Sequence, residues 1–210
     1  MDPRVLAGTQ RQLERWRAEL AGGAERVGWK IAFNGEGVQQ RVGIDSPVVG
    51  YMTSNTLLKY GARVSVAGAR NMLLEPEISI EVGPTLEPAA LGAAIEIVDV
   101  DSPVDDLEAV VATNLLHRGV LFGGSRPGAR PPAEAAVLVS GEERERAEIQ
   151  FDEWETLNVV AQTLAAAGET LQPGDQIIAG SLTTPIEVQP GDSVGVQVGP
   201  LGFLQALVVE

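Results

Sequence analysis

Cysteine is absent from the 210 residues, which removes a disulfide framework, a thiolate metal site and a cysteine nucleophile together. Histidine occurs once, at His117, so a Ser-His-Asp triad has no obvious support. Aromatic residues make up only 4%, without the basic-aromatic interleaving of single-stranded nucleic-acid binders. No apolar run approaches the roughly 20 residues of a membrane span. The opening stretch from Met1 to Gln10 has no apolar core of signal-peptide length, so a cytoplasmic location is expected. Basic residues are scarce, 15 against 29 acidic, for a net charge of -14. Such a field repels nucleic acid and anionic membranes and favours divalent cations beside any carboxylate cluster. No Walker loop or dinucleotide glycine pattern follows a strand.

What is present suits one domain, large enough to bury roughly 70% of the surface its unfolded chain exposes. Leu13, Trp16 and Leu20 recur at helical spacing between Thr9 and Ala24, with Gly22-Gly23 as the stop. Val27 to Phe33 reads as a strand, Gly35 to Val42 as one or two helical turns, and residues 43–47 as a loop. Arg63 to Val66 is a short strand, Leu73 to Val82 a longer one, and Ala93 to Val100 an apolar one broken by Glu96 and Asp99. Pro103 to Leu116 and Glu153 to Ala167 are expected as helices, the second closed by Gly168. Strands are expected over 119–123, 136–140, 176–179, 186–188, 193–198 and 201–209, and a loop over 124–132. Helices set among clustered strands point to an α+β fold, a mixed β-sandwich or roll with flanking helices. The division expected is an N-terminal helical segment, 1–26, before a catalytic domain, 27–210.

Alternation along the strand at Leu73 puts Glu75 and Glu77 on one face, roughly 7 Å apart. Carboxylates so close repel unless solvated, protonated or bridged by a cation. Glu96 sits in an apolar run, where an unpaired charge would cost several kcal/mol, so it must find water, a partner or a metal. Three carboxylates on two strands would suit a hard cation such as Mg²⁺. Lys30 follows Gly28-Trp29 in another apolar strand and, partly buried, would serve as an acid or base near neutral pH. Plainer alternatives stand beside each: a solvated strand face for Glu75 and Glu77, an ion pair for Glu96, an edge lysine reaching solvent, and a hydrogen-bonding structural role for His117.

Taken together and in order, these segments resemble the fumarylacetoacetate hydrolase superfamily, on its 2-keto-4-pentenoate hydratase and 4-oxalocrotonate decarboxylase side. Gly28-Trp-Lys-Ile31, Gly43-Ile-Asp45 with Gly50, Glu75-Pro-Glu77-Ile78 and Ile95-Glu-Ile-Val-Asp99 carry the resemblance. So do Thr113-Asn114 through Gly123, Leu157-Asn158, and Pro173-Gly-Asp175 through Thr183. The resemblance implies a mixed β-roll, a homo-oligomer, and Mg²⁺ or Mn²⁺ held by Glu75, Glu77 and Glu96. It implies a small 2-oxo acid substrate, with Lys30 as acid-base group, Asp99 orienting a ligand or water, and Asn114, Ser181 and Thr183 lining the substrate. The activity implied is a lyase, foremost hydration of a 2-hydroxydienoic acid; decarboxylation, C–C hydrolysis or a repurposed role are the alternatives. Hydrolysis would need a base, for which Glu36 and His117 are the candidates. The sequence departs from the pattern where the family's arginine becomes Asp101, where its Asp-Asn-Ala-Ser reads Thr113-Asn-Leu-Leu116, at residues 141–146, and at Pro76, a residue that disfavours a central strand.

Overall fold

The computed structural model describes residues 1–59, 61, 63–100 and 105–210. The chain runs α1 (Pro3–Ala21), β1 (Arg26–Ala32), α2 (Glu36–Val42), β2 (Val48–Thr53), β3 (Leu57–Leu58), β4 (Arg63–Ser65), β5 (Met72–Val82) and β6 (Pro88–Asp99). It continues through α3 (Leu107–Ala112), β7 (His117–Phe122), β8 (Arg126–Pro127), β9 (Glu134–Val139), β10 (Glu142–Glu148) and α4 (Glu153–Ala166). The closing strands are β11 (Gln176–Ile178), β12 (Ile186–Glu187), β13 (Ser193–Val198) and β14 (Gly202–Val209). Among the described residues, nine strands form one sheet in the order β2-β1-β11-β5-β6-β7-β3, with β12 on β5 and β8 on β6. Five form the second, β10-β9-β13-β14-β4. Ile78, Ile80, Ile95, Val194, Val196 and Leu204 fill one core between them. This is the mixed α+β roll with flanking helices that the sequence leads one to expect. Among the described residues, no helix is long and apolar enough to cross a membrane.

Several elements differ from the sequence expectation for physical reasons. Helix α1 begins well before Thr9 because the Asp2 carboxylate accepts from Arg4 N at 2.8 Å and Pro3 occupies the first turn. Strand β2 is buried throughout, beneath α1, so its residues show no polar-apolar alternation to read. Strand β10 is the reverse case, an edge of seven mostly charged residues whose exposed ladder is guarded by charge. Helix α3 is much shorter than the expected Pro103–Leu116; Asp101 and Pro103 lie outside the described residues. It ends because Asn114, Leu115 and Leu116 all take left-handed backbone, with φ of 65°, 55° and 63°. Each such residue costs on the order of 1–3 kcal/mol and persists only where its surroundings fix it.

Pro76 is accommodated by a break in its neighbours. On its far side from β6, β5 pairs with β11 through Ser79–Glu81 and with β12 through Leu73 and Leu74. Pro76 falls between those two pairings, and its carbonyl accepts from Leu182 N at 2.9 Å. A residue's N and O face the same side of a strand, so the missing N–H points into that break and no ladder bond is lost.

One buried acid anchors the start of β1. Asp175 accepts from Arg26 Nε at 2.5 Å, Trp29 Nε1 at 2.9 Å and Gln172 N at 2.9 Å, while the Arg26 guanidinium stacks on Trp16 and Trp29. Removing it leaves a desolvated guanidinium and indole N–H without an acceptor. Asp175→Ala is expected to lower unfolding free energy by about 3–5 kcal/mol, read from urea denaturation followed by tryptophan fluorescence.

Candidate active site

Register explains why three carboxylates meet. Glu75 lies directly opposite Glu96 in the β5–β6 pair, and Glu77 follows two residues on along the same face. Among the described residues, one oxygen from each falls within 4.8 Å of the others. Glu77 and Glu96 are 0% exposed, and Glu75 is half-buried. Glu77 Oε2 accepts from Gly180 N at 2.8 Å. Glu77 Oε1 and Glu96 Oε2 are buried with no hydrogen-bond partner among the described residues. Like charges placed opposite one another destabilise a strand pair, so this face needs compensation.

Part of that compensation is Lys30. It stands on β1, three strands from β6, and the curled sheet brings its ammonium onto Glu96 Oε1, with Leu115 O at 3.4 Å. At 1% exposure it is no edge lysine. Gly50, its partner on β2, makes the room: a Cβ there would lie 2.8 Å from both Lys30 Cγ and Asn114 Oδ1. The second compensating group is His117, whose Nδ1 is 2.6 Å from Glu96 Oε1 and whose Nε2 is 3.0 Å from Thr56 Oγ1. Burial opposes ionisation of Glu96, but Lys30 and then His117 outweigh it and hold the carboxyl down at about 2. The other two acids go the opposite way. Burial, and then the Glu96 charge, push Glu75 up to about 7. Burial, with Glu96 and Glu75 adding to it, raises Glu77 well above the usual carboxylate range.

A cavity of about 580 Å³ opens beside this cluster. Lys30, Glu75, Ser181 and Thr183 reach it, Arg41 of α2 stands at its wall, and Leu73, Val98 and Leu116 make an apolar side. Ser181 Oγ donates to Thr183 O at 2.8 Å, and Thr183 Oγ1 to Thr184 O at 3.1 Å. The remaining sequence candidates stand apart from it. Asp99 accepts from Arg70 N and Asn71 N, both at 3.0 Å, and so fastens the chain entering β5. Asn114 spends its amide on the backbone of Tyr51, as acceptor at 2.8 Å and donor at 2.9 Å. Glu36 is exposed in the first turn of α2.

His117 is the neighbour of Glu96 that alternation hides. The β6–β7 register shifts so that Val98 pairs with His117 rather than Arg118. Without that bulge Arg118 would share the face of Glu96; with it, His117 does. A lone histidine heading the strand after the Glu96 strand was the only signal available. The donor set, carboxylate oxygens alone with two of them buried and unpartnered, fits a hard divalent cation of the Mg²⁺ or Mn²⁺ type.

No family model matches the chain. It is 29% identical to a 4-oxalocrotonate decarboxylase of a Pseudomonas species over 219 residues, covering 96% of this chain and 85% of that protein. Among solved structures it is similar to 4-oxalocrotonate decarboxylase from Pseudomonas putida G7 complexed with magnesium and adipate, at TM-score 0.84 and 22% identity over 94% of this chain and 83% of that one. It is also similar to fumarylpyruvate hydrolase from Pseudomonas aeruginosa in complex with Mn²⁺ and pyruvate, at TM-score 0.69 and 15% identity over 88% and 90% of the two chains. The order of its motifs, its two-sheet roll and these likenesses agree on a fold of the fumarylacetoacetate hydrolase type, which the chain shares with these structures.

Proposed function

We propose that the chain is a divalent-metal-dependent lyase for a small 2-oxo acid, with loss of carbon dioxide as the favoured reaction. The observation that carries this is the convergence of Glu75, Glu77 and Glu96, one oxygen from each within 4.8 Å of the others, with an oxygen of Glu77 and one of Glu96 buried and unpartnered and Lys30 on Glu96. Glu75, Glu77 and Glu96 would hold Mg²⁺ or Mn²⁺. A cation bound there supplies Lewis acidity to the 2-oxo and carboxylate oxygens of the substrate and so lowers the cost of an enolate.

The side chains account for the rest. An ammonium has three donors, and Lys30 commits two of them, to Glu96 Oε1 and Leu115 O. Its third can face the cavity, so Lys30 Nζ holds a proton where an enolate carbon or oxygen would take it up. Ser181 and Thr183 have their hydroxyl hydrogens turned to backbone carbonyls, which leaves oxygen lone pairs to orient polar groups of the substrate. Leu73, Val98 and Leu116 form an apolar wall, and desolvating a second carboxylate of the substrate, one whose C–C bond breaks with its electron pair passing into the 2-oxo enolate, favours its departure as carbon dioxide. Hydrolysis of a carbon–carbon bond would instead need a base to activate water. Glu36 faces solvent, and both ring nitrogens of His117 are engaged away from the cavity. The decarboxylase names of the sequence relatives point the same way.

In calorimetry, Mg²⁺ should bind the wild-type chain, and Glu77→Gln should weaken binding at least about 100-fold. Absent wild-type binding, or equal binding by the variant, would end the proposal. Lys30→Met should keep the metal yet slow turnover roughly 10²–10⁴-fold. Assayed on unsaturated 2-oxo acids, with carbon dioxide release and water addition followed separately, turnover by water addition alone would replace decarboxylation with hydration.

Stability of the metal-free chain should fall with rising pH. Glu75 titrates at about 7 in the folded chain against 4.5 for an ordinary glutamate, so its contribution is complete below 4.5 and lost as the pH passes 7. Glu77 acts in the same direction. Glu96, held at about 2, acts in the opposite one: its contribution is complete above 4.5 and is lost as the pH falls from there through 2. Differential scanning fluorimetry should therefore give a lower metal-free midpoint at pH 8 than at pH 5.5, with Mg²⁺ restoring most at pH 8. A flat profile would contradict the buried-acid account.

A further inference from the structure

We infer that His117 is a positioning residue that fixes the Glu96 carboxylate so that Oε2 faces Glu75 and Glu77. The inference rests on the metal-site reading above and adds to it a residue that touches neither the cavity nor the other two acids.

Geometry carries the argument. The His117 side chain is 0% exposed and is held at both ring nitrogens. An ionised carboxylate only accepts, so the hydrogen in the 2.6 Å contact with Glu96 Oε1 sits on His117 Nδ1. Nε2 then accepts from the Thr56 hydroxyl, which lies nearer to it, at 3.0 Å, than to Thr53 O, at 3.3 Å. Thr56 is itself fixed, its carbonyl accepting from Val120 N at 2.9 Å and its N–H donating to Thr53 O at 3.1 Å. A line of contacts thus runs from the β3 edge of the sheet through Thr56 and His117 to one oxygen of Glu96, leaving the other bare and buried.

Lys30 contacts the same oxygen but cannot do this work. Its ammonium is a point charge on a flexible four-carbon stem, which neutralises Glu96 without setting the torsion of the carboxylate. A planar ring pinned at two atoms sets it. The β6–β7 bulge, which brings His117 rather than Arg118 onto this face, is the backbone feature that makes the arrangement.

The two amide side chains separate the contacts, since Asn places its nitrogen near the position of Nδ1 and Gln near that of Nε2. His117→Gln should weaken Mn²⁺ binding, measured by calorimetry, roughly 10–100-fold, while His117→Asn should recover most of it. Thermal midpoints of the two variants should be alike, because each loses one contact. Independently, this single histidine permits selective ¹⁵N labelling of the intact wild-type chain, and the metal-free spectrum should show hydrogen on Nδ1. A bare Nδ1 overturns the inference even if neither variant folds. Wild-type affinity in His117→Gln, or an equal loss in both variants, overturns it as well. If the wild-type chain binds neither Mn²⁺ nor Mg²⁺, the metal-site reading fails and the inference falls with it, whereas binding that is indifferent to His117 sinks the inference alone.

Discussion

Mutual repulsion among three carboxylates on one face of β5 and β6 is the constraint around which the neighbouring structure is arranged. Glu75 and Glu96 are cross-strand partners, and Glu77 follows on the same side. Two of the three are shut away from water, where an ion costs several kcal/mol unless it is compensated. Lys30 and His117 compensate one acid and leave two with their protons or in want of a cation. The surrounding backbone serves this arrangement: Gly50 admits the lysine stem, and the left-handed stretch at Asn114–Leu116 aims the Leu115 carbonyl at the ammonium. The segment is kept in that strained form by Asn114, clamped on both polar groups of Tyr51.

The parts of this site legible in the sequence are those that obey a two-residue period or stand out chemically. Glu75, Glu77 and Glu96 are acids in strands, and Lys30 is a cation in an apolar run, so type and spacing sufficed to single them out. Buried β2 and charged β10 escaped because neither alternates, one having both faces covered and the other being an edge with little apolar surface. The end of α3 escaped because three non-glycine residues in left-handed backbone leave no mark in composition. Asp99 and Asn114 show another limit. Both polar groups are spent on backbone amides brought near by folding, and sequence spacing says nothing of those partners.

One segment that departs from the pattern the sequence resembles, Thr113 to Leu116, runs directly into the contacts with Lys30 and Glu96 made by Leu115 O and His117. It holds a backbone clamp in Asn114 and leads into the imidazole that meets Glu96.

The break in pairing beside Pro76 has a consequence for entry. Ile178 stands opposite Ser79 and Ile186 opposite Leu74, so the 179–185 segment carries three residues more than a continuous ladder along β5 could pair. The segment is therefore an irregular rim, and it asks no N–H of Pro76. That rim carries Gly180, whose amide caps Glu77, and Ser181 and Thr183, whose oxygens look into the cavity. Three inserted residues therefore hold a doorway open, and they leave a place on β5 where a proline costs nothing.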